Sequence, residues 1–186
     1  MNQEAVRALV AYESLFGATR LVAEAIAEGL FEGGAQVACR SIREVEAAEP
    51  GAFRLVVLGA PTHARTLPTP ASRLEGERWL EHRMRGHRLE PRATESGVRE
   101  WIPRASLFGR RVAAFTTRAD LPRLVSGSAT HAIERLARSQ GARVPVPGFE
   151  GRIDDRGALL PGEEDRARAW GRSLASHAVA SVVTHA

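Results

Sequence analysis

Short apolar runs of the kind that form strands alternate along this chain with stretches of helical periodicity, the pattern of a sheet interleaved with helices. Val6 to Tyr12 reads as a first strand. Leu21, Val22, Ala25, Ile26 and Leu30 then recur at helical spacing until Gly33-Gly34 stop the helix. Val37, Cys39 and Ser41 alternate with Gln36, Ala38 and Arg40, as in a half-buried edge strand. Phe53 to Gly59 contains Leu-Val-Val-Leu, the near-continuous run of a central parallel strand. Val112 to Phe115 and Arg143 to Val146 are predicted as fourth and fifth strands, the fifth at an edge because Pro145 and Pro147 lack an N–H. Helices are predicted around Ala129 to Ala137 and from Glu163 to about Ala180. Five strands joined by right-handed crossovers predict a doubly wound parallel sheet of order 2-1-3-4-5 with helices on both faces.

At 186 residues the chain is sized for a single domain, 1–186. One stretch breaks the rhythm. Residues 62–96 separate the third strand from a helical pattern at Gly97–Ile102, too far for an ordinary connection, so an inserted flap is expected at about 74–95. Trp79, Leu80 and Met84 would give it one apolar stripe, and it is expected to cover the strand ends. No run approaches the roughly 18 apolar residues of a membrane span. Met1 to Glu4 lack the basic flank and apolar run of a secretory signal, so the reading is cytoplasmic. Cys39 is the only cysteine, which excludes an internal disulfide and a multi-cysteine zinc site, and it is expected as a small buried side chain. His82 and His87 lack a metal-ligand spacing, so no metal site is predicted.

All 26 basic side chains are arginines, set against 22 acidic ones, a usage that a GC-rich coding sequence produces as readily as an anion-seeking surface. Glu75, Glu77, Glu81 and Glu90 interrupt the basic residues of the insertion, which argues against nucleic acid because no phosphate-tracking stripe forms.

In a doubly wound sheet, ligands bind beyond the carboxyl ends of the strands, where strand order reverses. Three loops lie there. The first, Ser14-Leu15-Phe16-Gly17-Ala18-Thr19, runs directly into a helix, with hydroxyls and a glycine beside backbone N–H groups, an arrangement suited to phosphate and equally to a plain helix cap. No Gly-x-Ser-x-Gly elbow surrounds Ser14, so it is not read as a hydrolase nucleophile, and no catalytic residue is assigned. The second loop is Gly59-Ala60-Pro61-Thr62-His63-Ala64-Arg65, and the third Phe115-Thr116-Thr117-Arg118.

In these loops the sequence resembles the flavodoxin family. Ser14, Gly17 and Thr19 match its phosphate loop, Thr/Ser-x-Thr-Gly-x-Thr, with Phe16 replacing a hydroxyl, and the second loop looks like the family's Gly-x-Pro-Thr flavin loop. The resemblance implies a flavodoxin-like fold binding FMN non-covalently, with phosphate on Ser14 to Thr19 and the ring edges on Pro61, Thr62, His63, Ala64, Arg65, Thr116, Thr117 and Arg118. It implies electron transfer with a redox partner protein. Alternatives are an FMN-dependent oxidoreductase acting on NAD(P)H or a quinone, or a module that has lost flavin and binds an acidic partner; a homodimer is left open. The family holds flavin between aromatic rings, but none occurs from Pro61 to Leu74 or from Thr116 to Leu124, so a ring is expected from Trp79 or Trp101, or a stacking guanidinium from Arg65. Asp154-Asp155 are read as a turn after the fifth strand.

Overall fold

Side-chain alternation along the sheet sorts the core into two layers. The computed structural model describes residues 5–82 and 87–183. Five parallel strands, β1 (Arg7–Tyr12), β2 (Gln36–Ser41), β3 (Leu55–Pro61), β4 (Arg111–Ala119) and β5 (Phe149–Ile153), run in the order β2-β1-β3-β4-β5. The register pairs Val10 with Cys39 on one side and Val57 on the other, Val57 with Ala113, and Phe115 with Phe149. Leu9, Ala11, Val56, Leu58, Val112 and Ala114 face one layer; Ala8, Val10, Leu55, Val57, Ala113 and Phe115 face the other.

The first layer is closed by α3 (Val98–Trp101) and α5 (Thr130–Ser139) through Val98, Trp101, Ala132 and Ile133. The second is closed by α1 (Ala18–Glu32) and α6 (Glu163–Val183) through Val22, Ile26, Leu30, Ala167 and Leu174. These two helices approach so closely that a Cβ at Gly29 would collide with the Arg168 carbonyl and one at Gly171 with that of Ile26. Each fully buried Leu, Ile or Val in these layers contributes roughly 1.5–3 kcal/mol. Two further helices, α2 (Pro70–His82) and α4 (Arg123–Ser126), stand at the carboxyl end of the sheet. No described helix is long and apolar enough to cross a membrane.

The structure moves several sequence-based boundaries. The fifth strand is Phe149–Ile153, not Arg143–Val146. Arg143 keeps one bridge to Arg111, but Pro145 and Pro147 have no N–H to continue a ladder, so pairing resumes only after them. Strand β4 runs on to Ala119, which puts Thr116, Thr117 and Arg118 inside the sheet rather than in a loop. The helix expected at Gly97–Ile102 is one α-turn, Val98–Trp101, followed by a 3-10 turn. Helix α2 opens the connection that was read as a flap, beginning at Pro70; Arg83 to Gly86, which include Met84 of the expected stripe, lie outside the described residues.

Candidate functional site

The loop after β1 is fixed from below by a buried carboxylate. Glu13 is fully buried; its Oε2 accepts the Val98 N–H at 2.9 Å and its Oε1 accepts from Arg73 at 3.2 Å. Arg73, 1% exposed on α2, also donates to Glu100 at 2.8 Å, and Glu100 accepts the Gly97 N–H. A Cβ at Gly97 would collide with the Glu13 carboxylate, so close approach requires glycine there. Burial pushes the Glu13 carboxyl up from its ordinary value, against the opposing pull of the Val98 N–H and Arg73. A buried pair of this kind strongly penalises loss of either partner. It ties the first loop, α2 and α3 into one unit.

Above that anchor the chain enters α1. Gly17 takes φ +100°, a left-handed conformation, and donates to the Ser14 Oγ at 3.1 Å. No side chain caps α1 and no acidic residue lies in its first turn. Its first N–H groups, which have no intrahelical acceptors, are therefore oriented for an anion. The buried Thr19 hydroxyl lies 2.7 Å from that of Thr117, joining the helix start to β4. A parallel ladder links the second and third loops. Thr116 Oγ1 donates to the Ala60 carbonyl at 2.7 Å, which makes Thr62 the donor in their 2.9 Å contact. The Thr62 N–H donates to the Thr117 carbonyl at 2.8 Å.

The second loop then doubles back in a two-residue hairpin, with His63 and Thr66 exchanging both backbone bonds. Such a turn needs positive φ at its centre, and here Ala64 (φ +44°) and Arg65 (φ +71°) supply it without glycine, at about 1 kcal/mol or more of strain each. His63 is buried, with Nδ1 3.2 Å from Ser72 Oγ and its ring edge-on to Trp79 at 4.8 Å between centroids. Burial, reinforced by the charge of Arg73, lowers its pKa to about 4, so the imidazole is neutral at physiological pH. The Phe16 and Trp79 ring centroids lie 6.3 Å apart, tilted by 38°.

These parts enclose a cavity of about 880 Å3 at the carboxyl end of the sheet. Of the residues expected at a site, Leu15, Phe16, Ala18 and Thr19 line it from the first loop, Pro61, Thr62, His63 and Ala64 from the second, and Thr117 from the third. Ser14 and Gly17 shape the first loop without lining this space; Ser14 instead borders a smaller cavity of about 180 Å3 with Tyr12, Arg43 and Glu90. Arg65, Thr116 and Arg118 do not line the large cavity. Arg65 is exposed at the hairpin tip, Thr116 is buried in its ladder, and Arg118 is paired with Glu150 at 2.8 Å. Between the two aromatic candidates the structure distinguishes clearly. Trp79 lines the cavity, whereas Trp101 is buried in the core, its Nε1 donating to the Val45 carbonyl at 2.9 Å. Cys39 is half-buried on β2, and burial pushes its thiol up to about 12.

Sequence reasoning missed the opposite wall, made by Asp120 and Leu121 after β4 and by Ile153 to Gly157 after β5. Asp154 does form the expected turn, its Oδ1 accepting the Arg156 and Ala158 N–H groups at 2.9 Å. What placed that turn away from the site on paper was the early assignment of the fifth strand.

A flavodoxin from the domain Archaea superposes on this chain with a TM-score of 0.63 at 19% identity, over 92% of this chain and 98% of that one. The fold is that of the flavodoxins. Flavodoxin 1 from Bacillus cereus agrees, with a TM-score of 0.64 at 17% identity over 92% of this chain and 98% of its own. The flavodiiron core Flv1 from Synechocystis sp. PCC6803 matches 95% of this chain with 37% of its length, at a TM-score of 0.63 and 18% identity. No family model matches the chain, and no curated protein matches it in sequence. In this flavodoxin fold the cavity stands where strand order reverses between β1 and β3, the position at which doubly wound sheets take ligands.

Proposed function

We propose that the chain is a small flavoprotein that binds FMN non-covalently in the large cavity and exchanges electrons with a redox partner. The observation that carries this reading is the α1 N-terminus, uncapped by any side chain, opening beside a cavity of about 880 Å3. That volume falls within the roughly 300–1,000 Å3 of ligand pockets. The donor set fits the cofactor: backbone N–H groups of Ala18 and Thr19 with the Thr19 hydroxyl for a phosphate, and the second loop from Pro61 to Ala64, which lines the cavity, for a ring edge. Phe16, Trp79 and His63 form an aromatic wall that excludes water on one side. Because His63 is neutral, this wall adds no cation to the site.

Bound flavin supplies the redox chemistry; the protein holds it, orients it and limits access. The similarity in fold to flavodoxins and to a flavodiiron core supports electron transfer. The opposite rim favours that over a nicotinamide reductase, since Asp154 and Asp155 stand there against Arg156, with Asp120 already paired to Arg152, and repel a second nucleotide's phosphates. The test is the visible spectrum of the purified protein after incubation with FMN and exhaustive dialysis. Retention of one flavin per chain is expected, whereas a colourless protein overturns the reading.

A further inference from the structure

Beyond α2 the chain returns to the phosphate loop and brings a carboxylate with it. The Glu90 N–H donates to the Leu15 carbonyl at 2.7 Å, which fixes this return against the loop. Contact continues on α2, where a Cβ at Gly76 would stand 3.0 Å from Leu15 and 3.7 Å from Leu89. The Glu90 side chain then reaches α1. Its Oε1 accepts from the Arg20 Nε at 2.9 Å and lies 3.3 Å from where a Cβ on Gly17 would stand. Arg20 is shared, since its NH1 donates to Glu24 at 2.9 Å. A fixed negative charge therefore sits within a few ångströms of the backbone donors that suit an anion. It also occupies the first cation of α1.

We propose that Glu90 is a specificity-determining residue: it competes with a ligand phosphate for Arg20 and for the positive end of α1, and so reduces the site's preference for phosphorylated over unphosphorylated flavin. This rests on the reading that the cavity binds FMN with its phosphate on the first loop. Two like charges a few ångströms apart repel even in water, and the phosphate carries more than one. Removing the Glu90 charge also frees Arg20 to turn toward the phosphate. The effect is electrostatic and partly exposed to solvent, so salt screens it.

The experiment titrates wild type, Glu90→Gln and Glu90→Ala with FMN and with riboflavin, at low and at high salt. Both variants keep the backbone bond to Leu15, and Glu90→Gln keeps the shape of the side chain. The expected result is FMN binding tightened on the order of tenfold in both variants at low salt, with riboflavin within about twofold of wild type and the FMN gain shrinking at high salt. Adding Arg20→Gln to Glu90→Gln should remove the part of the gain that Arg20 supplies and leave the part that comes from lifting the direct repulsion. Unchanged or weakened FMN binding in the variants overturns the role of Glu90 while leaving flavin binding intact, and so does an equal change for both flavins, which marks a structural effect. A wild-type chain that binds FMN no more tightly than riboflavin, with neither variant separating them, removes the phosphate from this loop. A chain that binds neither flavin overturns both readings.

Discussion

The two walls of the cavity are built on opposite principles. On one side Glu13, Arg73 and His63 are buried and interlocked with the Val98 N–H and the half-buried Glu100 and Ser72, so the first two loops and α2 hold one arrangement. On the other, Leu121 projects half-exposed at the rim, and the neighbouring α4 has no buried residue: Leu124 is 86% exposed and Val125 59%. That wall is held by Arg118 and Arg123 on Glu150, by the Asp120–Arg152 pair near the surface and, behind it, by the buried Glu163 carboxylate on Arg152. The rigid wall is the one whose donors the proposed phosphate and ring edge would use. Strength is thus concentrated where precise geometry matters, and local stability elsewhere is free to be low.

This contrast is open to direct attack. The largest effect is expected at Glu13→Ala, which leaves the buried Arg73 and the Val98 N–H without one partner each and should lower unfolding free energy by about 3–5 kcal/mol in denaturant titrations. Leu124→Ala and Val125→Ala beside the opposite wall should stay within about 0.5 kcal/mol. Comparable losses on both walls would abolish the distinction.

Next in size is a pH effect at His63. Its folded pKa of about 4 lies below the ordinary 6.5, so the folded state resists protonation that the unfolded chain accepts. The corresponding stability is fully present above pH 6.5 and is lost as pH falls toward 4, about 3 kcal/mol in all at roughly 1.4 kcal/mol per unit. Stability curves of wild type and His63→Phe should converge across that window if this holds. Parallel curves would mean that the imidazole is solvated.

A smaller change is expected from Trp79→Ala, which removes the ring packed on both His63 and Phe16: about 1 kcal/mol of stability, and an upward shift of the His63 titration followed by NMR. The smallest concerns Arg65→Ala. An exposed side chain outside the cavity should alter neither stability nor FMN affinity by more than about 0.5 kcal/mol, where a stacking guanidinium would have cost more.

Strand order and both layers were legible because parallel strands need continuous apolar runs and their helices a 3.6-residue repeat, both local patterns. The first two loops were legible for the same reason: their hydroxyls, glycine and proline are neighbours in sequence. What escaped was assembled across the chain. Glu13 meets Arg73 over a separation of 60 residues and the Val98 N–H over 85, and no local pattern marks a buried ion pair. Trp79 could be named as a candidate ring, but only the packing of α2 separates it from Trp101. The fifth strand was misjudged because Val144 and Val146 look strand-like, while the missing N–H groups of Pro145 and Pro147 decide against pairing. That displacement also hid the fact that the turn at Asp154 to Gly157 lines the cavity.

The central claim is that the first loop holds a phosphate at the mouth of the aromatic wall, and amide NMR reads it directly. Adding FMN should shift the N–H resonances of Ala18 and Thr19 together with the Trp79 indole N–H. Riboflavin should move Trp79 and leave the two helix-start amides in place. If FMN perturbs the indole but not Ala18 and Thr19, or shifts none of the three, the phosphate does not bind at α1 and the account of the site is wrong.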